Sequence, residues 1–159
     1  MMEIDFFLMS AFAGIMATFG LLAMANWADS LGLPRLDFSR AMANLTYSRT
    51  FEEDAPPGAT GGGPNTPYWP GMIVIYFNGV FFALLYSSVI AKYIPIDPPV
   101  LKGAAYGVIL WFVSGIFYVP VFLKEGFMLT HIHKNAWITS LMVHGTFGLF
   151  CGWIAPIAT

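Results

Sequence analysis

Read by hydropathy alone, the chain consists of four long apolar runs separated by polar connections. A hydrocarbon layer about 30 Å thick asks for roughly 20 consecutive apolar residues in a helix, and the runs at about 6–27, 69–94, 100–123 and 136–157 each reach that length. The pattern predicts an all-α integral membrane four-helix bundle, a single transmembrane domain over residues 1–159. An even number of crossings puts both termini on the same side. The first run carries Glu3 and Asp5 where a secretory leader would be basic, and it lacks a small-residue cleavage site, so it is read as a retained span.

The connections differ in kind. Between spans 2 and 3, the prolines of "IPIDPPVLKG" interrupt helix and predict a tight antiparallel hairpin. Between spans 1 and 2, "GLPRLDFSRAMANL" reads as a short helix with Leu36, Ala41, Met42 and Leu45 on one face and Asp37 and Arg40 on another, a pattern that suits the interface plane. The loop 46–68 that follows is Gly/Pro-rich and acidic, and it buries too little apolar surface to order itself. Loops of that length in small proteins are functional or disordered, and ordering by a partner subunit is the expectation. Glu52, Glu53 and Asp54 then form a solvated face or a partner contact, while Tyr68 and Trp69 suit headgroup depth. Spans 3 and 4 are joined by "KEGFMLTHIHKN". Arg35, Arg40, Arg49, Lys124 and Lys134 lie on the side of the two larger loops, against Lys92 and Lys102 on the other. The positive-inside rule therefore places those loops in the cytoplasm and the termini in the periplasm.

Composition agrees with this reading. Hydrophobic residues make up 57% of the chain and charged residues 10%, against about 25% charged in soluble domains. A net charge of −2 without a basic stripe argues against nucleic acid as a partner. Other membrane subunits and lipids are the expected partners, and no soluble substrate is predicted. No nucleophile motif, phosphate loop or usefully spaced carboxylate pair is present, so a non-catalytic role is expected. Cys151, alone and deep in the last span, reads as a packing residue.

Lipid is as apolar as leucine, so spans associate by close packing of small residues and by interhelical polar contacts. Ser10 and Gly14 mark such a face on span 1, Asn78 and Gly79 on span 2, Gly103 and Gly107 on span 3, and Gly148 and Gly152 on span 4. An amide in hydrocarbon needs a partner, so Asn78 should bond across the bundle or to water. Pro120 should kink span 3 or begin its exit.

The segments "GIMATFGLLA", "LGLPRLDFSRAMANL", "FNGVFFALLYS", "LKGAAYGVILWFVSGIFYVPVF" and "LMVHGTFGLFCGWI" resemble, in order, those of a family of small bacterial four-helix integral membrane proteins whose domain has no assigned function. The "GLPRLD" turn after span 1 and "HGTFG" in span 4 are the most distinctive elements. The resemblance implies a multi-pass protein of the bacterial inner (cytoplasmic) membrane and makes His144 part of the family pattern. It implies no catalytic residues.

No Asp, Glu, Lys or Arg lies well inside any span, which leaves a proton relay through His144 without members. It could be an axial ligand to haem or to a chlorophyll-type pigment, or a hydrogen-bond partner to a quinone among Trp111, Phe112, Tyr118, Phe147 and Phe150. A bis-histidine haem within one chain is disfavoured, because His133 and His144 are about 16 Å apart along a continuous helix at 1.5 Å per residue. Otherwise neutral His144 donates to a neighbouring span that Gly145 and Gly148 allow to approach. His131 and His133 could hold a metal ion if a third ligand such as Glu125 came close. The leading expectation is an accessory, structural subunit of a larger, energy-transducing (respiratory or photosynthetic) membrane complex, with no cofactor of its own. A haem-, pigment- or quinone-binding redox protein using His144 is the alternative.

Overall fold

The computed structural model describes residues 3–47 and 69–158. Helix α1 spans Glu3–Trp27 and ends through a 3-10 turn, Ala28–Leu31, on Gly32, whose φ of 71° closes the turn without strain. Short α2 covers Phe38–Thr46, and α3 covers Trp69–Leu85, continuing through a π-helical turn, Tyr86–Ile90, to Tyr93. Helix α4 covers Pro99–Val113 and widens into a π-helical segment, Ser114–Leu123; α5 covers Ala136–Ile154. Among the described residues there are no strands. Four helical stretches are long and apolar enough to cross a bilayer, as a multi-pass membrane protein requires: Glu3–Leu31, Trp69–Tyr93, Pro99–Leu123 and Ala136–Ile154. The last stops short of residue 157 because Pro156 disfavours helical geometry in the residue before it, and Ala155 is extended with ψ 135°. The expected loop 46–68 lies, from residue 48 onward, outside the described residues.

Helix α2 departs from the expected one-sided amphipathic helix. Asp37 caps it, one carboxylate oxygen accepting the Arg40 N–H at 3.0 Å and the other pairing with Arg40 Nε at 3.3 Å. Its Ala41, Met42, Ala43, Ser39 and Asn44 are all buried, so more than one face is covered. Gly71 of α3 makes this possible, since a side chain there would collide with the backbone of Ser39 and Ala43. Sequence periodicity missed this contact because small residues carry little hydropathy yet allow the closest approach.

Two tight helix pairs organise the rest. In the first, α1 and α3 meet where Gly14 backs onto Val80; a Cβ on Gly14 would lie 2.6 Å from the Val80 Cα. Gly79 returns the contact against Thr18, whose hydroxyl is turned back onto the Gly14 carbonyl at 2.8 Å. In the second pair, Gly103 and Gly107 of α4 interlock with Gly148 and Gly152 of α5, each facing backbone of the other helix. Dispersion between backbones in van der Waals contact replaces the hydrophobic drive that lipid does not supply. Helix α1 also packs on α5, with Gly20 beneath the Phe150 ring. The Thr139 hydroxyl donates to the Pro34 carbonyl at 2.9 Å and fixes the start of α5 beside the end of α1.

Consecutive α3 and α4 share no glycine seam. They are tied by the Tyr106 hydroxyl, which donates to the Phe82 carbonyl at 2.8 Å, and by the Tyr86 and Tyr106 rings with centroids 5.0 Å apart. Beyond that tie α4 loosens. Pro120 has no N–H and its ring crowds the carbonyl four residues earlier, which is relieved when the helix widens to the π pattern. The segment ends at Lys124 in the left-handed region, φ 57°, where the Glu125 N–H closes on the Val119 carbonyl at 3.2 Å. Met128 and Leu129 also have positive φ, at 55° and 59°. Both are buried, and Met128 fills the space that Gly115 leaves open, so packing holds an otherwise costly backbone.

The α4–α5 seam leads to a prediction. Gly148→Val should lower stability in detergent by about 1–3 kcal/mol through overpacking against Gly103 and Gly107. Gly145→Val, at a position with nothing within 4 Å of the new Cβ, should stay within about 0.5 kcal/mol of the parent. Denaturant titration followed by circular dichroism would measure both.

Candidate functional site: an internal cavity beside His144

Because the tight pairs are set by glycine while larger side chains lie between them, the helices do not close everywhere. A cavity of about 300 Å³ remains, lined by all five helices. Helix α1 contributes Thr18 and Leu21, α2 contributes Phe38 and Met42, and α3 contributes Ile75, Asn78, Gly79 and Phe82. Leu110, Val113 and the π-helical residues Ser114, Phe117, Tyr118, Val119 and Leu123 come from α4, and His144 and Phe147 from α5. The wall is overwhelmingly apolar, with a few polar groups converging on it, which is the usual character of a small-molecule site. Its volume lies at the lower end for such sites and suits one or two fused rings rather than a tetrapyrrole.

His144 is held by its own helix. Its Nδ1 lies 2.7 Å from the Ser140 carbonyl oxygen one turn back, and its ring stands edge-on to Phe38, 6.4 Å between centroids at 86°. The expected bond to a neighbouring span is therefore absent among the described residues. The neighbour that approaches does so through backbone, where Gly107 meets the His144 carbonyl. Elsewhere in the lining, the Asn78 amide reaches the Met42 sulfur at 3.8 Å and the Tyr118 hydroxyl reaches the same sulfur at 3.6 Å. Thioether sulfur is a weak acceptor, so both donors are poorly matched.

Of the aromatic lining expected from sequence, Tyr118 and Phe147 face the cavity. Phe150 packs over Gly20 and beside Trp153, and Trp111 stacks between Phe112 and Trp137, away from it. Phe38, Met42, Thr18 and Ser114 belong to the site and were not expected there. Only the polar spacing of Thr18 and Ser114 within apolar helices could have drawn attention to them.

Histidines 131 and 133 lie outside the cavity, in the α4–α5 connection. Glu125, 3% exposed, does approach His131, with Oε2 at 3.0 Å from Nε2. His133 turns elsewhere, its Nδ1 accepting the Asn135 N–H at 3.0 Å at the start of α5. Among the described residues, no three His, Cys, Asp or Glu side chains converge as a metal site. Cys151 is buried against Phe147, Tyr106 and Ala17. Ser10, the remaining small residue singled out on α1, is fully buried with no partner for its hydroxyl.

Comparison with protein-family models, with curated proteins and with solved structures finds no match for this chain.

A void of this size costs stability when empty. Ser114→Leu, which adds apolar volume inside the cavity without touching either glycine seam, should stabilise the ligand-free protein by about 0.5–2 kcal/mol. A rise in the denaturation midpoint at unchanged slope would show it.

Proposed function

We propose that this chain is a membrane-embedded binding protein for a small lipophilic ring compound of the quinone class, received in the cavity with His144 as its polar anchor. The observation that carries this reading is the convergence of His144, Asn78 and Tyr118 on one otherwise apolar cavity. A flat ring among Phe38, Phe82, Phe117 and Phe147 would replace the dispersion contacts that the void lacks. Haem and chlorophyll-type pigment are less well supported, because the cavity is small and the other histidines lie outside it. No step of catalysis is assigned, and redox activity would belong to the bound ring and its exchange partners.

Extraction with organic solvent of protein purified in mild detergent, followed by mass spectrometry, tests the reading. A lipophilic ring compound should be recovered from the parent protein in near-stoichiometric amount and lost from Ser114→Leu. Recovery of nothing from either, with no binding of added naphthalene-sized probes, would count against it.

An accessory role in a larger membrane complex is the second reading, and the two are compatible. Gly103, Gly107, Gly148, Gly152, Gly14 and Gly79 are occupied by contacts within the chain. Gly145, one residue from His144, is half-buried and has open space where a Cβ would go, and a small residue with such space can admit another helix closely. Gly145→Leu should release a companion subunit that co-purifies with the parent at fixed stoichiometry, while leaving the extracted ring compound in place. Both proteins behaving as a lone species would remove the support for this reading. A location in the bacterial inner membrane, with periplasmic termini, belongs to the same proposal and rests on the resemblance and on loop charge.

A further inference from the structure

The hydrogen bond made by His144 decides which form of such a ligand the cavity takes, and this inference rests on the reading of the cavity as a ring-binding site. A carbonyl oxygen only accepts, so the 2.7 Å contact between Nδ1 and the Ser140 carbonyl places the ring hydrogen on Nδ1. The wall carries no acidic side chain to pair an imidazolium, and an unpaired charge in hydrocarbon is strongly disfavoured. A neutral imidazole hydrogen-bonded through Nδ1 leaves Nε2 as a bare acceptor. Among the described residues Nε2 has no hydrogen-bond partner.

We infer that the cavity selects ligands bearing a ring hydroxyl, the phenol or hydroquinone form, over the corresponding quinone or hydrocarbon. A hydroxyl donates to Nε2, whereas a quinone carbonyl brings one lone pair against another. The other polar groups of the lining fit the same assignment. Asn78 and Tyr118 lie beside each other and both reach the Met42 thioether, and a second oxygen on a dihydroxy ring would be a stronger acceptor than that sulfur for either. The hydroquinone satisfies His144 and these donors alike, because each of its hydroxyls donates and accepts. The quinone satisfies only Asn78 and Tyr118.

The test uses three probes of nearly equal shape: 1-naphthol, 1-methylnaphthalene and 1,4-naphthoquinone, titrated into the full-length protein in detergent with micelle partitioning subtracted. The parent should bind 1-naphthol about fivefold to tenfold more tightly than 1-methylnaphthalene, the range of one net hydrogen bond, and more tightly than 1,4-naphthoquinone, which can bond to Asn78 and Tyr118 but sets a carbonyl lone pair against Nε2. In His144→Phe the advantage of 1-naphthol over 1,4-naphthoquinone should be lost or reversed, because the quinone keeps its donors at Asn78 and Tyr118. A second measurement is independent of any variant's folding. In protein labelled with ¹⁵N-histidine, the free state should show a nonprotonated Nε2 signal that moves towards the hydrogen-bonded position on addition of 1-naphthol and not of 1-methylnaphthalene. Equal binding of the three probes to the parent, tighter binding of the quinone, or a protonated Nε2 in the free protein would overturn the hydroxyl preference while leaving the cavity as a ring site. Absence of binding by any probe, or binding undiminished in Ser114→Leu, would overturn the cavity reading itself.

Discussion

The constraint on which the rest of this structure depends is that apolar helices gain nothing by leaving lipid for one another unless their backbones come close. Glycine provides that closeness here, at Gly14 against Val80 and at Gly103 and Gly107 against Gly148 and Gly152. In the α4–α5 seam the contact is reciprocal, backbone opposed to backbone, so no rotamer change can make room for a side chain there. The price is that the seams act only where they run. Between the α1–α3 pair and the α4–α5 pair, spacing is set by larger side chains, and a cavity follows from that mismatch.

Position along the membrane normal adds a second element. One buried apolar cluster gathers Leu36, Met42, Val119, Leu123 and Leu129; another gathers Ala83, Tyr86, Tyr106, Phe147 and Cys151. The cavity draws on both, through Met42, Ile75 and Leu123 from the first and Phe147 from the second. Helix α2 closes it on one side because Gly71 lets its backbone sit directly against α3. The π-helical stretch after Val113 turns Ser114, Phe117 and Tyr118 onto the wall together. In an α-helix, 114, 117 and 118 would share a face while 119 and 123 turned away from it; the wider turn brings Val119 and Leu123 to the same wall. Pro120 therefore shapes the site without lining it.

How much of this could be read from the amino acids alone follows from what hydropathy measures. Long apolar runs declare themselves, so the four spanning stretches were legible to within a few residues, and Pro156 accounts for the one early ending. Glycine spacing exposed which faces are small. It could not reveal which small face meets which, and so could not show that the seams close within the chain and leave Gly145 open. The cavity was legible only in part. His144, Tyr118 and Phe147 stood out as polar or aromatic groups in hydrocarbon, whereas Phe38 and Met42 arrive from a nine-residue helix whose docking depends on Gly71. Trp111, Phe112 and Phe150 belonged to the same aromatic count and face elsewhere, because rotation about a helix axis is set by the seams and not by the aromatics themselves.

The hydrogen bond from His144 to its own helix joins packing to chemistry. Had the imidazole bonded to a neighbouring span, it would have served as a clasp, with both nitrogens committed to holding two helices in register. Gly107 removes that need, since backbone contact at the His144 carbonyl already joins α4 to α5. The ring is thereby relieved of a structural duty while remaining oriented, its Nδ1 fixed one turn back on Ser140 and its edge against Phe38. An imidazole oriented by its own helix beside an apolar cavity keeps Nε2 available to a hydroxyl donor, as the proposed ring site requires. In hydrocarbon an unpaired acceptor is costly, and that cost is the physical basis of the proposal that the cavity receives a donor.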